Sequence, residues 1–288
     1  MINDKLYFDS LGVDISKCAT LEEALKVSKL DYIVEKKNIY LENNTIIKDK
    51  FATVKNTNGA VLGIVGKDYT ILNNIDGFDF VDDLVMKYKM KFIKAGHYEK
   101  DENSFIILKM EYTSEIEVYI FISNSYGGSG SVMTMLTPVF NKSVIMLKDY
   151  KTLIRHSKNV KDKPVICEEL IAVYNCILND LENSIHKYKQ KMFTSSQFRN
   201  ILNKLTGLNK ELSNIKRERA EKTVDEIMTR YYSQELQKEP ENLWRAILSV
   251  SGQECQRDTL RDTNNPEIFL NRIITGMPLL NQFIREVK

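Results

Sequence analysis

The sequence has few of the residues that mark several specialised protein classes. Its 288 residues include four cysteines and three histidines, and none of them is spaced as in a zinc ribbon, a thioredoxin-like redox site or an HExxH metal motif. It also lacks the run of about 20 apolar residues that a membrane-spanning helix needs. Its first residues, MINDKLYFDS, do not resemble a secretory signal. We therefore expect a cytoplasmic protein with reduced cysteines and no contact with a membrane.

An excess of charge of one sign is missing as well. The formal net charge is +2, so composition alone does not predict a nucleic-acid partner, and any basic surface has to be local. Hydrophobic residues make up 43% of the chain and charged residues 28%. These proportions are typical of a globular protein and argue against global disorder.

Hydrophobic periodicity predicts an α+β fold. Strand-like patterns dominate the first half, where Asn58-Gly59 predicts a tight hairpin. Apolar residues at steps of three and four then predict helices in the second half. We expect an N-terminal adaptor region at 1–50, a strand-rich α+β domain at 51–163 and a helical region at 164–288.

Polar residues and glycine predict where several helices begin and end. Asp76 is the expected N-cap of a helix in the strand-rich domain. Ser195 or Ser196 is expected to cap a helix that ends near Gly207. Pro266 is expected to start the last helix, because proline suits the first turn.

The junction between the two halves is basic. Residues 148–163 contain six lysines and arginines against two aspartates, a local excess of four positive charges. Cations neutralise phosphates and release counterions, and interleaved aromatic rings stack on unpaired bases. A solvated surface is the alternative interpretation. The residues predicted here to contact nucleic acid are Lys148, Tyr150, Lys151, Arg155, His156 and Lys158, with Lys89 and Lys91 in a second cluster that would share one face of a strand.

A glycine-rich stretch is the other candidate, but it does not predict chemistry. It follows a strand without leading into a helix, and it lacks both the Walker lysine and the dinucleotide-binding spacing. We expect an inter-strand loop that closes over a partner. No nucleophile elbow or histidine pair is present, so we predict no catalytic residue, no metal and no cofactor, although a hydrolase site assembled in space stays open. The loop residues are Asn124, Gly127, Gly128 and Gly130.

Three stretches in a fixed order carry a resemblance to a known family. They are GIVGKDYTILNNIDGFDFVDDLV at 63–85, FISNSYGGSGSVMTMLTPV at 121–139 and IRHSKN at 154–159. Together they resemble the phage- and plasmid-associated prokaryotic family of the domain of unknown function 932, over most of residues 50–250. The chain departs from the family pattern at Phe140, where the family tends to carry arginine. The residues that match are Asn124, Gly127, Thr137, Pro138, Arg155 and His156.

The resemblance implies a mobile genetic element close to DNA-processing functions. We therefore expect a non-catalytic nucleic-acid-binding protein of a phage or plasmid, which binds single-stranded DNA in recombination or replication. The alternative is a protein that binds and inhibits a host protein, and homo-oligomerisation stays open. A charged helix expected at 208–232 motivates the alternative of a host-protein inhibitor, because the thin apolar stripe of this helix could need a partner helix. The stripe consists of Leu212, Ile215, Val224 and Ile227.

Overall fold

The chain has the α+β architecture that the sequence predicts, and it folds as two compact units. One unit comprises Met1–Pro138 with Lys151–Ala172, and the other comprises Val139–Tyr150 with Val173–Lys288. The predicted boundary at residue 50 falls inside a strand. The structure is a computed structural model that describes residues 11–98, 101–113, 116–127, 131–140, 143–144, 151–155, 163–261 and 277–287.

The described strands form two sheets. The large sheet has the order β1–β5–β6–β7–β8–β10, with β9 paired to β8, and the small sheet has the order β2–β3–β4. The strands are β1 (Val13–Asp14), β2 (Val34–Tyr40), β3 (Ile46–Lys55), β4 (Val61–Gly66), β5 (Lys91–Tyr98), β6 (Asn103–Glu111), β7 (Ile116–Ser125), β8 (Ser131–Phe140), β9 (Ser143–Val144) and β10 (Lys151–Arg155).

Strands β6 and β7 form the centre of the large sheet. They are antiparallel, with Ile106 opposite Ile122 and Ile107 opposite Phe121. Both strands are almost continuously buried, so successive side chains are covered on both faces of the sheet. Their uninterrupted apolar sequences, FIIL and VYIFI, are typical of strands without a solvated face.

The predicted Asn58-Gly59 hairpin is confirmed between β3 and β4. Gly59 has a φ of +72°, which glycine adopts without steric cost. The Asn58 side-chain oxygen accepts a hydrogen bond from the Ala60 N–H at 3.0 Å, and the Lys55 N–H donates to the Ala60 carbonyl at 2.9 Å. These local contacts fix the turn and the pairing of the two strands.

The helices before residue 100 are short, and one prediction about them is wrong. A single helix capped by Asp76 is replaced by two helices, with Asn73 as the N-cap residue of the first. Between the two helices the chain turns, and Phe78 and Phe80 in this turn are buried. A continuous helix capped by Asp76 would have no such turn. The helices are α1 (Leu21–Val27), α2 (Asn74–Gly77) and α3 (Val81–Tyr88).

The C-terminal part of the chain is helical. None of the helices in the described residues is both long enough and apolar enough to cross a membrane. The predicted start at Pro266 lies outside the described residues. The helices are α4 (Lys163–Gln190), α5 (Ser195–Thr206), α6 (Asn214–Tyr231), a short 3-10 helix (Leu236–Lys238), α7 (Leu243–Arg261) and α8 (Pro278–Val287).

Local hydrogen bonds fix the ends of α5. Thr194, rather than Ser195 or Ser196, is the N-cap, because its hydroxyl accepts from the Gln197 N–H while the Gln197 side chain accepts from the Thr194 N–H. The predicted end is confirmed, since Gly207 follows the helix with a φ of +79°.

Aromatic side chains fill the core of the second unit. The Phe198 ring centroid lies 5.2 Å from that of Tyr231 and 5.4 Å from that of Phe283. Helix α6 packs against α5 and α7, which buries Val224 and Ile227 of the predicted apolar stripe. This half of the stripe is therefore covered within the chain.

Candidate functional site

Only part of the predicted basic segment lies in the described part of the chain. Its residues Lys151–Arg155 form β10, whose backbone pairs with β8 from Met135 to Ser131. Among the described strands β8 is the only partner of β10, so β10 lies at an edge of the large sheet. The residues Lys148, Tyr150, His156 and Lys158 lie outside the described residues, as do the side chains of Lys151 and Arg155.

The second lysine cluster does not have the predicted arrangement. Lys89 follows α3 with a φ of 52°, and the strand begins only at Lys91, so the expected shared strand face is wrong. The Lys91 ammonium lies 3.6 Å from a Glu111 carboxylate oxygen, and both side chains are exposed. Such a surface ion pair contributes little to stability. A role for the two lysines in nucleic-acid binding stays a prediction.

A row of polar side chains crosses three strands at one end of the large sheet. His97 on β5 is opposite Ser104 on β6, which is opposite Asn124 on β7. Residues paired in this way present their side chains on the same face. Ser104 and Asn124 are completely buried, so their polar atoms need partners within the protein.

Asn74 at the start of α2 is the centre of the resulting hydrogen-bond network. Its amide nitrogen donates to the Leu30 carbonyl at 2.9 Å and to the Ser104 hydroxyl at 3.2 Å. Its amide oxygen accepts from the Tyr126 hydroxyl at 2.8 Å and from the Asn124 amide at 3.2 Å. One buried side chain therefore joins α2 to β6, β7 and the residue that follows β7.

Tyr32 extends this network towards charged groups. Its hydroxyl lies 2.9 Å from that of Ser104, and its ring stacks on His97 with 5.6 Å between centroids. The Lys55 ammonium lies 4.1 Å from the Tyr32 ring centroid and 3.5 Å from a carboxylate oxygen of Asp101. Burial raises the pKa of the Tyr32 hydroxyl.

The surroundings of His97 disfavour its charged form. Burial lowers the pKa of its imidazole; Lys55 also lowers it, and the Asp101 carboxylate acts in the opposite direction. Its Nδ1 atom and the side-chain oxygen of Asn124 are buried without a hydrogen-bond partner among the described residues. The same part of the chain contains no group of three or more histidine, cysteine or acidic side chains placed to hold a metal ion. We call these residues, Tyr32, Lys55, Asn74, His97, Asp101, Ser104, Asn124 and Tyr126, the polar cluster.

Asn124 was predicted as a loop residue, but this is wrong because it lies on β7 and is fully buried. The residues that follow β7 are fixed against the small sheet. The Thr53 hydroxyl donates to the Tyr126 carbonyl at 3.0 Å. A Cβ atom on Gly63 would lie 2.6 Å from the Cα of Gly127, so β4 approaches the loop too closely for a side chain. The remaining predicted loop glycines, Gly128 and Gly130, lie outside the described residues.

A family comparison covers most of this architecture. Residues 61–274 match the family described as domain of unknown function (DUF932). The chain belongs to the DUF932 family. Neither the curated proteins nor the solved structures that were compared contain a match to it. The DUF932 region includes Asn74, His97 and Asn124, whereas Tyr32 and Lys55 of the polar cluster precede it.

The two β8 residues on which the sequence resemblance to the family rests, Thr137 and Pro138, are buried. Thr137 is fully buried, and within the described chain its hydroxyl has no hydrogen-bond partner. Pro138 lies between the stretch of β8 that pairs with β10 and the stretch that pairs with β9. This position suits a residue that cannot donate to a strand ladder.

Proposed function

We propose that this DUF932 protein is a non-catalytic nucleic-acid-binding protein that binds single-stranded DNA through residues 148–163. The observation that supports the proposal is the position of β10, the described strand of this segment, at an edge of the large sheet. An edge strand leaves one side of its backbone free of strand pairing. The described part of the basic segment is therefore attached to the large sheet, and among the described strands only β8 pairs with it.

The extended backbone of β10 sets the spacing of its cations. Four steps of about 3.3 Å separate Lys151 and Arg155, so the two residues lie about 13 Å apart along the strand. In this proposal the lysines and Arg155 neutralise successive phosphates, and Tyr150 and His156 stack on unpaired bases. Stacking requires bases that are not paired, which favours single-stranded over duplex DNA.

The biological setting belongs to the same proposal. The description of the DUF932 family gives no function. We propose that the chain is a phage or plasmid protein that acts in recombination or replication. The alternative, inhibition of a host protein, depends on the apolar stripe of α6. Val224 and Ile227 of that stripe are already buried within the chain, whereas Ile215 is 64% exposed, so only the N-terminal part of the stripe is left for such a partner.

A salt titration tests the proposal. Binding of labelled oligothymidine and of a matching duplex is measured by anisotropy between about 50 and about 200 mM salt. The double variant Arg155→Glu/Lys158→Glu should bind more weakly than the wild type. The slope of log K against log salt should fall by about 0.7 for each phosphate that the variant no longer neutralises.

The matched control reverses two exposed charges elsewhere. Lys216→Glu/Lys222→Glu on α6 makes the same change in net charge, and we expect it to leave the slope close to that of the wild type. A wild-type slope in the Arg155/Lys158 variant would remove the segment from the site. Absence of wild-type binding at low salt would refute DNA binding itself.

A further inference from the structure

The loop that joins β2 to β3 is held in one conformation by its own backbone. The Leu41 N–H donates to the Thr45 carbonyl, and the Asn44 N–H donates to the Leu41 carbonyl, both at 2.9 Å. The Asn43 side chain accepts from the Thr45 N–H at 3.1 Å, and Asn44 has a φ of 60°. The side chains beside this turn are therefore presented from a fixed backbone. We call residues 40–46 the hairpin tip.

The hairpin tip exposes three large apolar side chains together. Tyr40 is opposite Ile46 in the strand register, and Leu41 follows Tyr40 directly. The exposed fractions are 56% for Tyr40, 51% for Leu41 and 48% for Ile46. Single exposed apolar residues are ordinary, but a contiguous group on a structured projection is typical of a binding surface.

Lysines flank the hairpin tip on both strands. Lys37 is exposed on β2, and Lys48 and Lys50 are exposed on β3. Within the described residues none of the three lysines forms an ion pair. The Asp49 carboxylate lies 3.8 Å from the ammonium of Lys67, so its charge is partly offset. The remaining acidic side chains of the two strands and their loop are Glu35 and Glu42, which leaves a small positive excess.

We propose that the hairpin tip is a second contact for single-stranded nucleic acid, in which Tyr40 stacks on an unpaired base beside Leu41 and Ile46. A tyrosine ring stacks on any base because every base has a π-face, and the flanking lysines attract phosphates. The hairpin tip and β10 belong to the same compact unit, so one molecule of single-stranded DNA could contact both. The inference rests on the proposed DNA binding, but it uses residues that precede the DUF932 match.

Stacking and phosphate contacts leave different signatures in a salt titration. Tyr40→Ala should raise the Kd for oligothymidine at least about fivefold, the lower end for loss of one stacked base. The salt slope should stay unchanged, because no cation is removed. Tyr40→Phe, which keeps the ring, should bind like the wild type. Ile64→Ala, on an exposed position of the same sheet, should have no effect.

A tryptophan reporter gives an independent readout. The only native tryptophan, Trp244, is buried, so Tyr40→Trp adds an exposed one, and its fluorescence should be quenched by oligothymidine. If the wild type binds and Tyr40→Ala leaves the Kd unchanged, the tip is not a contact, although the proposed function stands. If the wild type does not bind, both proposals fail. A wild-type dimer in light scattering that Tyr40→Ala dissociates would instead make the tip an interface between two copies.

Discussion

The two sheets differ in how much of their apolar surface is exposed to water. In the large sheet, Ile106 and Phe105 are neighbours on β6 that point to opposite faces, and both are buried. In the small sheet, Val61 and Ile64 are 62% and 61% exposed. The small sheet therefore buries less of its apolar surface than the central strands of the large sheet do.

This difference is offset by polar contacts that attach the small sheet and its flanking chain to one end of the large sheet. Thr53 of β3 donates to the Tyr126 carbonyl after β7, and the Lys55 ammonium lies 3.5 Å from the carboxylate of Asp101, which lies between β5 and β6. Tyr69, which follows β4, donates to the Ser125 carbonyl of β7 at 2.9 Å. Hydrogen bonds are directional, so they can fix a sheet in place without covering its outer surface. The large sheet serves as the scaffold, and the small sheet carries the exposed side chains of the proposed contact at the hairpin tip.

The largest expected contrast is between two isoleucines. Ile106→Ala on β6 should lower the free energy of unfolding by about 2 to 5 kcal/mol, because it leaves a cavity in a packed core. Ile64→Ala on β4 should change it by less than about 0.5 kcal/mol, because that side chain is mostly exposed. Urea denaturation of the two full-length variants measures both values. Similar losses would show that the small sheet is packed as tightly as the large one.

A smaller loss is expected from the polar cluster. Asn74→Ala removes four hydrogen bonds and leaves the Leu30 carbonyl and the Tyr126 hydroxyl buried without these partners. We expect a loss of about 2 to 3 kcal/mol in the free energy of unfolding. Asn38→Ala, on an exposed position of β2, is the matched control and should be nearly neutral. Equal stability of the two variants would mean that the network does not hold α2 against the large sheet.

Patterns that are local in the sequence predicted much of the fold. Strands β6 and β7 were predictable because their apolar runs are continuous, and the β3–β4 hairpin because Asn58-Gly59 suits its turn. The N-cap of α5 was misplaced by one or two residues because three hydroxyl residues follow each other. Gln197, three residues after Thr194, is the sequence signal that selects Thr194.

The polar cluster was not predicted because its members are distant in the sequence. Asn74 and Asn124 are 50 residues apart, and Tyr32 and Ser104 are 72 residues apart. Asn74 alone resembles an ordinary helix-start residue, and only the pairing of β6 with β7 brings Ser104 beside Asn124. The signal available in the sequence was the apolar run of β7, which ends in polar residues. This pattern does not identify the hydrogen-bond partners of those residues.

The smallest expected effect is a dependence of stability on pH. Burial lowers the pKa of His97, so the unfolded chain binds this proton more tightly than the folded chain does. The contribution is fully present above the unfolded pKa of about 6.5 and is lost as pH falls below it towards the folded pKa. The facing charges are Lys55, which opposes protonation, and Asp101, which favours it.

The difference between the free energies of unfolding at pH 7.5 and at pH 5.5 measures this contribution. Most carboxylates are still ionised at pH 5.5. The decrease cannot exceed about 1.4 kcal/mol per pH unit, the slope for one proton. His97→Gln should flatten the dependence, because no imidazole remains to be protonated on unfolding. His186→Gln should preserve it, since His186 is exposed on α4 and bonds only Gln190 among the described residues. A decrease that persists in His97→Gln would assign the pH dependence to a group other than His97.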